Sequence, residues 1–182
     1  PLSPILSNVY LDKLDRELEA KGLRFARYAD DCNIFVKSEL AANRVMKSIV
    51  SWIERKLFLK VNAEKSKIVR PMQSQFLGFA FWKDKETWKC KPVKDRIQRL
   101  YSKVKEITCR KRAVAKTMAV TFTKLNQVIR GWINYFRIGS MKGQMKLFGE
   151  WMRHKVRVVV IKQWKNGATI YRNLQKLNKL FK

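Results

Sequence analysis

Residues Tyr28-Ala29-Asp30-Asp31 constrain the fold more than any other stretch of this chain. Upstream, Leu23-Arg24-Phe25-Ala26-Arg27-Tyr28 reads as a short strand, and downstream Cys32-Asn33-Ile34-Phe35-Val36 reads as another. A tight hairpin turn between them would project Asp30 and Asp31 side by side. Neighbouring carboxylates repel each other, so such a pair marks either a solvated turn or a place where cations sit. Two divalent cations would remove the repulsion, and a nucleotide-polymerising site uses two.

The charge of the chain bears on that choice. Over 182 residues there are 41 Lys and Arg against 14 Asp and Glu, a net +27. A surface of that sign repels itself unless it lies against a polyanion, and nucleic acid is the expected partner. An anionic membrane surface is the other polyanion to weigh. No apolar run approaches the roughly 18 residues of a membrane span, so no membrane partner is expected. Cys32, Cys90 and Cys109 are scattered and odd in number, which fits neither a zinc pattern nor a disulfide framework and suggests a reducing, cytoplasmic compartment. His154 is the only histidine, so histidine-based catalysis is not expected, and no Gly-rich phosphate loop occurs.

The charge is uneven. Residues 1–93 hold 18 Lys/Arg and 11 Asp/Glu, a net +7, whereas residues 94–182 hold 23 and 3, a net +20. A boundary is therefore expected near Lys91-Pro92-Val93. The first part reads as mixed: a helix opened by Ser3-Pro4 and stopped by Gly22, the carboxylate hairpin, and a helix over 39–56. Short strands are expected at Phe58, Leu59 and Val61, at Ile68-Val69, and over 75–82, with Trp88-Lys89-Cys90 returning from Trp82. The second part carries apolar residues at spacings of three and four over 95–110, 118–137, 145–164 and 169–180, four helices with charged outer faces.

Several stretches, taken in order, match a known family. These are Pro1-Leu2-Ser3-Pro4-Ile5-Leu6-Ser7-Asn8-Val9-Tyr10-Leu11, Arg27-Tyr28-Ala29-Asp30-Asp31, Asn62-Ala63-Glu64-Lys65-Ser66-Lys67 and Phe76-Leu77-Gly78-Phe79. That series resembles the reverse transcriptase of group II introns. Arg130-Gly131-Trp132-Ile133-Asn134-Tyr135-Phe136-Arg137 is similar to the signature of the same family's maturase domain. The resemblance implies an α+β fold: part of a reverse-transcriptase palm, an antiparallel sheet with two helices, over 1–93, then an all-α thumb/maturase bundle over 94–182.

The resemblance also implies roles. Asp30 would ligate two catalytic Mg²⁺ ions, with Asp31 as its supporting carboxylate, since hard cations take oxygen ligands. Tyr28 and Ala29 would line the primer terminus, and the helix after Pro4 would lie beside template and incoming dNTP. Lys65 matches the basic residue near the triphosphate, where it would protonate pyrophosphate or only neutralise charge; as a residue it reads equally as one surface lysine among many. Phe76, Leu77, Gly78 and Phe79 resemble the hairpin that grips a DNA primer, with Gly78 letting backbone approach a phosphate; as residues, Phe76, Leu77 and Phe79 also read as core only. Trp132, Tyr135 and Phe136 share a helix face that reads as core, while Arg130, Asn134 and Arg137 form a separate stripe suited to intron RNA. Lys103, Arg110, Lys111, Arg112, Arg153 and Arg157 are further candidates for RNA phosphates.

The match has gaps. The family's turn before Pro1 and the strand carrying a further metal-binding aspartate have no counterpart here, and Asp12 and Asp15 have the spacing of a helix surface. The expectation is a C-terminal piece of an RNA-directed DNA polymerase, inactive alone, truncated in its maturase domain, without an endonuclease module, and able to self-associate through an exposed palm edge. A non-catalytic splicing cofactor that only binds intron RNA is the alternative, and a generic basic nucleic-acid-binding module is a third reading that the ordered motifs argue against.

Overall fold

A computed structural model describes residues 2–180. It divides into two compact units, one ending at Phe76 and one beginning at Leu77. The class is α+β: helices and small antiparallel strands are interspersed up to Pro92, and helices alone follow.

The first unit opens with α1 (Ser3–Ala20), which has Pro4 in its first turn where the missing N–H disrupts nothing. β1 (Arg24–Tyr28) and β2 (Asp31–Phe35) pair antiparallel, with Arg24 opposite Phe35 and Tyr28 opposite Asp31. α2 (Glu39–Trp52) follows, capped by the Ser38 hydroxyl, which accepts from the Ala41 N–H. The core joins Leu14 and Leu18 of α1 to Ile49 of α2 and to Leu57, and Phe25, Cys32 and Ile34 of the hairpin pack against it.

Three expected strands are corrected here. Phe58, Leu59 and Val61 form none. Leu57 is drawn fully into the core, so α2 runs on through a π-helical turn (Ile53–Leu57), and the Leu57 carbonyl accepts from the Tyr10 hydroxyl at 2.6 Å. Phe58 ends that turn in the left-handed region at φ 52° and is left exposed. Ile68-Val69 belongs to an irregular stretch before a short 3₁₀ turn (Pro71–Gln73). The run over 75–82 is not continuous: β3 (Gln75–Phe76) and β4 (Phe79–Asp84) are separated by Leu77 and Gly78, at φ 52° and 80°, values no strand accommodates.

In the second unit β4 pairs antiparallel with β5 (Thr87–Pro92), from Phe79 opposite Pro92 to Asp84 opposite Thr87. Then come α3 (Lys94–Ile107), the short α4 (Arg110–Ala113), α5 (Met118–Phe136), α6 (Lys142–Gln163) and α7 (Gly167–Leu180). Leu100 and Val104 of α3, Leu125 of α5 and Phe148 of α6 make the core, with Tyr101, Trp132 and Trp151 around it. The β4–β5 hairpin packs with these helices. The Ser140 N–H donates to the Cys90 carbonyl at 2.7 Å, and the Phe79 ring meets Phe136 edge-on at 5.0 Å. The step in charge after residue 93 and the division in packing after Phe76 therefore fall at different places. A hairpin of modest charge is carried by helices of high charge.

Candidate catalytic carboxylates and nucleic-acid interface

Ala29 and Asp30 form the turn between β1 and β2, and Asp31 begins β2. Asp30, Asp31 and Tyr28 are all exposed, Tyr28 at 65%. Ala29 sits at φ 54°, where an L-residue's Cβ crowds the backbone at about 1–2 kcal/mol. A side chain holds that conformation in place: Arg27 Nη1 donates to the Ala29 carbonyl at 2.9 Å. The same guanidinium grips Asp15 through two bonds, Nε to Oδ1 at 2.7 Å and Nη2 to Oδ2 at 2.5 Å, and Asn8 Oδ1 at 3.0 Å. Only 12% of the Arg27 side chain and 24% of the Asp15 side chain are exposed. The bond to Asp15 raises the guanidinium's affinity for its proton against the opposing effect of burial. Asp15 is thus not an idle surface residue of α1 but the anchor of the carboxylate turn. Only the Arg27–Asp15 pairing across the fold, invisible in a linear spacing, would have revealed it.

The donor set can be judged for a metal. Asp30 and Asp31 offer exposed carboxylate oxygens, the right chemistry for Mg²⁺. Among the described residues, however, no group of three His, Cys, Asp or Glu side chains could hold a metal ion. Two adjacent carboxylates fall short of the set that a two-cation site uses. Lys65 is exposed in a turn where the Asn62 side chain accepts from the Glu64 and Lys65 N–H groups, and it forms no described bond to Asp30 or Asp31. Pro4 is exposed in the first turn of α1.

In the second unit, Leu77 and Gly78 are half-buried, and both of their carbonyls are occupied. Tyr135 OH donates to the Leu77 carbonyl at 3.0 Å, and the Val93 N–H donates to the Gly78 carbonyl at 2.9 Å. A Cβ on Gly78 would stand 3.1 Å from Arg96 Nε and 3.6 Å from Phe136 Cζ, so the Arg96 side chain would have to give by a few tenths of an ångström, while φ 80° itself favours glycine. Of the Trp132, Tyr135 and Phe136 face, Phe136 is buried and Trp132 half-buried, while Tyr135 remains 55% exposed with its hydroxyl engaged. Trp132 Nε1 donates to the Arg96 carbonyl at 3.3 Å.

Arg130, Asn134 and Arg137 are exposed, as are Lys103, Arg110, Lys111, Arg112, Arg153 and Arg157. The structure brings two of these together. Lys103 and Arg112 line a cleft of about 350 Å³ with Lys116, Lys124 and Glu106, and Glu106 is paired with Arg112 at 2.9 Å. Gln163 holds the segment bearing Lys116 by donating to the carbonyls of Ala113 and Lys116, at 3.2 and 2.7 Å. Lys116 and Lys124 could not be singled out from sequence, because nothing distinguishes them among 23 cations. No helix among the described residues is long and apolar enough to cross a membrane.

An α+β unit that ends a strand–turn–strand on paired carboxylates, and a strongly basic helical unit, together define a nucleic-acid-handling protein. Residues 1–81 match the reverse transcriptase (RNA-dependent DNA polymerase) family, and residues 97–178 match the group II intron, maturase-specific domain. The chain belongs to the group II intron reverse transcriptase/maturase family. A search of curated proteins gives no match. That family uses Mg²⁺ in general, and its two domains have nucleic acids as partners.

Proposed function

We propose that this chain supplies the carboxylate turn and primer-gripping hairpin of an RNA-directed DNA polymerase, together with a helical surface that holds intron RNA during splicing. One observation carries the first part: Arg27, locked to Asp15, fixes the strained Ala29 so that Asp30 and Asp31 face outward from the strand ends. A fixed turn of that kind presents its carboxylates in one geometry rather than many, which suits a group whose task is to position charge. The third carboxylate would have to come from residues other than those described. Tyr28 and Ala29 then stand beside the primer terminus, Lys65 near the triphosphate of the incoming nucleotide, and Phe76 to Gly78 along the primer strand. The DNA primer, dNTP and template RNA are the ligands of this reading, and Mg²⁺ is its cofactor.

The splicing part rests on the concentration of charge. The cleft of Lys103, Arg112, Lys116 and Lys124 and the stripe of Arg130, Asn134 and Arg137 are exposed on helices and the turns that join them, where carboxylates are few. They suit the phosphates of a folded RNA read by shape. This part needs no chemistry from the carboxylates, so a splicing cofactor that does not polymerise would keep it whole.

One pair of measurements tests the reading. The chain should bind structured intron RNA with an affinity that falls steeply with salt, and salt-insensitive binding rejects the splicing role. Primer extension in Mg²⁺ by the protein together with a segment that supplies the third carboxylate should be abolished by Asp30→Ala, with RNA binding unchanged. Extension that survives the substitution removes Asp30 from the metal.

A further inference from the structure

The Leu77–Gly78 turn has a cation laid against it that the sequence did not single out. Arg96 sits in the first turn of α3, and its stem passes so close to Gly78 that a Cβ there would meet Arg96 Nε at 3.1 Å and Cγ at 3.3 Å. Its backbone is pinned on both sides. The Arg96 N–H donates to the Val93 carbonyl at 3.0 Å, and its own carbonyl accepts from the Trp132 indole. The guanidinium, by contrast, is exposed, and among the described residues it forms no ion pair or hydrogen bond; the neighbouring carboxylate, Asp95, pairs with nothing there either.

Both carbonyls of the turn beneath are already paired. Tyr135 OH donates to the Leu77 carbonyl and the Val93 N–H donates to the Gly78 carbonyl. Each oxygen thus has an internal donor, and neither is bonded to the guanidinium. An arginine whose stem is already ordered loses less freedom on binding than a free surface lysine does, and its planar fork matches a phosphate through two parallel bonds.

We propose that Arg96 binds a backbone phosphate of the nucleic-acid strand that crosses the Leu77–Gly78 turn. The inference rests on reading that turn as the primer grip, and it adds the residue that makes the grip's ionic contact.

Binding of the full chain to a duplex with a recessed 3′ end tests it. Arg96→Gln should weaken binding about tenfold, the size of one charge-assisted contact, and lower the dependence of log affinity on log salt by about one. Arg96→Lys should recover part of the loss. Arg172→Gln, an equal loss of charge on α7, should change affinity no more than about twofold. Methylphosphonate at successive positions of the DNA strand, then of the RNA strand, identifies the phosphate: the neutral linkage that makes Arg96→Gln silent marks its partner. Equal losses for Arg96→Gln and Arg172→Gln overturn the contact while leaving the grip reading in place. If blunt and recessed duplexes bind alike, the grip reading fails, and a loss specific to Arg96→Gln still upholds the phosphate contact.

Discussion

Two turns in this protein solve the same backbone problem by different forces. Ala29–Asp30 and Leu77–Gly78 each connect strands through two residues, and each puts a residue with a side chain at positive φ, 54° for Ala29 and 52° for Leu77. In the first, charge holds the strained carbonyl: Arg27 bonds to Ala29 and is itself clamped by Asp15 and Asn8. In the second, an aromatic cluster does so: Tyr135 bonds to Leu77, stacks on Phe79 at 6.0 Å and meets Phe136 edge-on at 4.7 Å. What each turn presents outward is opposite in sign. The arginine-held turn exposes two carboxylates, and the tyrosine-held turn exposes an arginine. In each case the group behind the turn leaves the outward groups uncommitted, ready for a ligand of opposite charge.

The difference predicts unequal fragility. Arg27→Met should be the larger lesion, because it strands the mostly buried Asp15 carboxylate and frees the Ala29 carbonyl together. Loss of one partner from a buried ion pair destabilises by about 3 kcal/mol. Urea denaturation should register the loss, and amide exchange should accelerate across β1 and β2. Exchange in β4 and β5 should hold steady, since the described Arg27 bonds, to Asn8, Asp15 and Ala29, all lie within the first unit. An Arg27→Met protein with unchanged exchange in β1 and β2 would mean that the turn is held by strand pairing alone.

Tyr135→Phe should be milder. It deletes one hydrogen bond and keeps the ring's stacking, a loss of about 1 kcal/mol. Faster exchange confined to residues 77–80 is the expected signature. A global loss of stability would show instead that the hydroxyl supports the whole helical unit.

Much of this architecture is legible in sequence, because helical periodicity survives tertiary packing. The four long helices of the second unit and both of the first appear where apolar residues recur at three and four. The carboxylate hairpin is legible too, since its strands flank a short polar break. What was missed shares a cause. Phe58, Leu59 and Val61 read as a short strand, but burial of Leu57 extended the helix before them. The 75–82 run looks continuous because leucine gives no sign that it will adopt φ 52°. Asp15 and Arg96 matter through partners 12 and 36 residues away, in Arg27 and Trp132, and no local pattern encodes such pairs. The candidate carboxylates could be found from their type and adjacency. The residues that hold them could not.

The smallest effect concerns Cys32, one residue beyond Asp31 and packed against the core of the first unit. Burial, with the Asp15 charge adding to it, pushes its thiol up to about 11, while Arg27 pulls the other way. An unfolded thiol titrates near about 8.5, so the folded protein holds this proton more tightly than the unfolded chain does. The resulting stability is complete below that value and is lost as pH rises through the folded pKa. Between about pH 9 and 11 the first unit should weaken, and Cys32→Ala should flatten that slope. Alkylation at pH 8 should modify the exposed Cys109 first and leave Cys32 slow. The same reagent separates two consequences of Arg27→Met. If only the charge is lost, the thiol is pushed higher and alkylation slows further. If β1 and β2 part, desolvation is relieved, the pKa falls, and Cys32 reacts faster. The second outcome is expected, because burial is the largest cause of the shift and Arg27 is what ties the hairpin turn to α1.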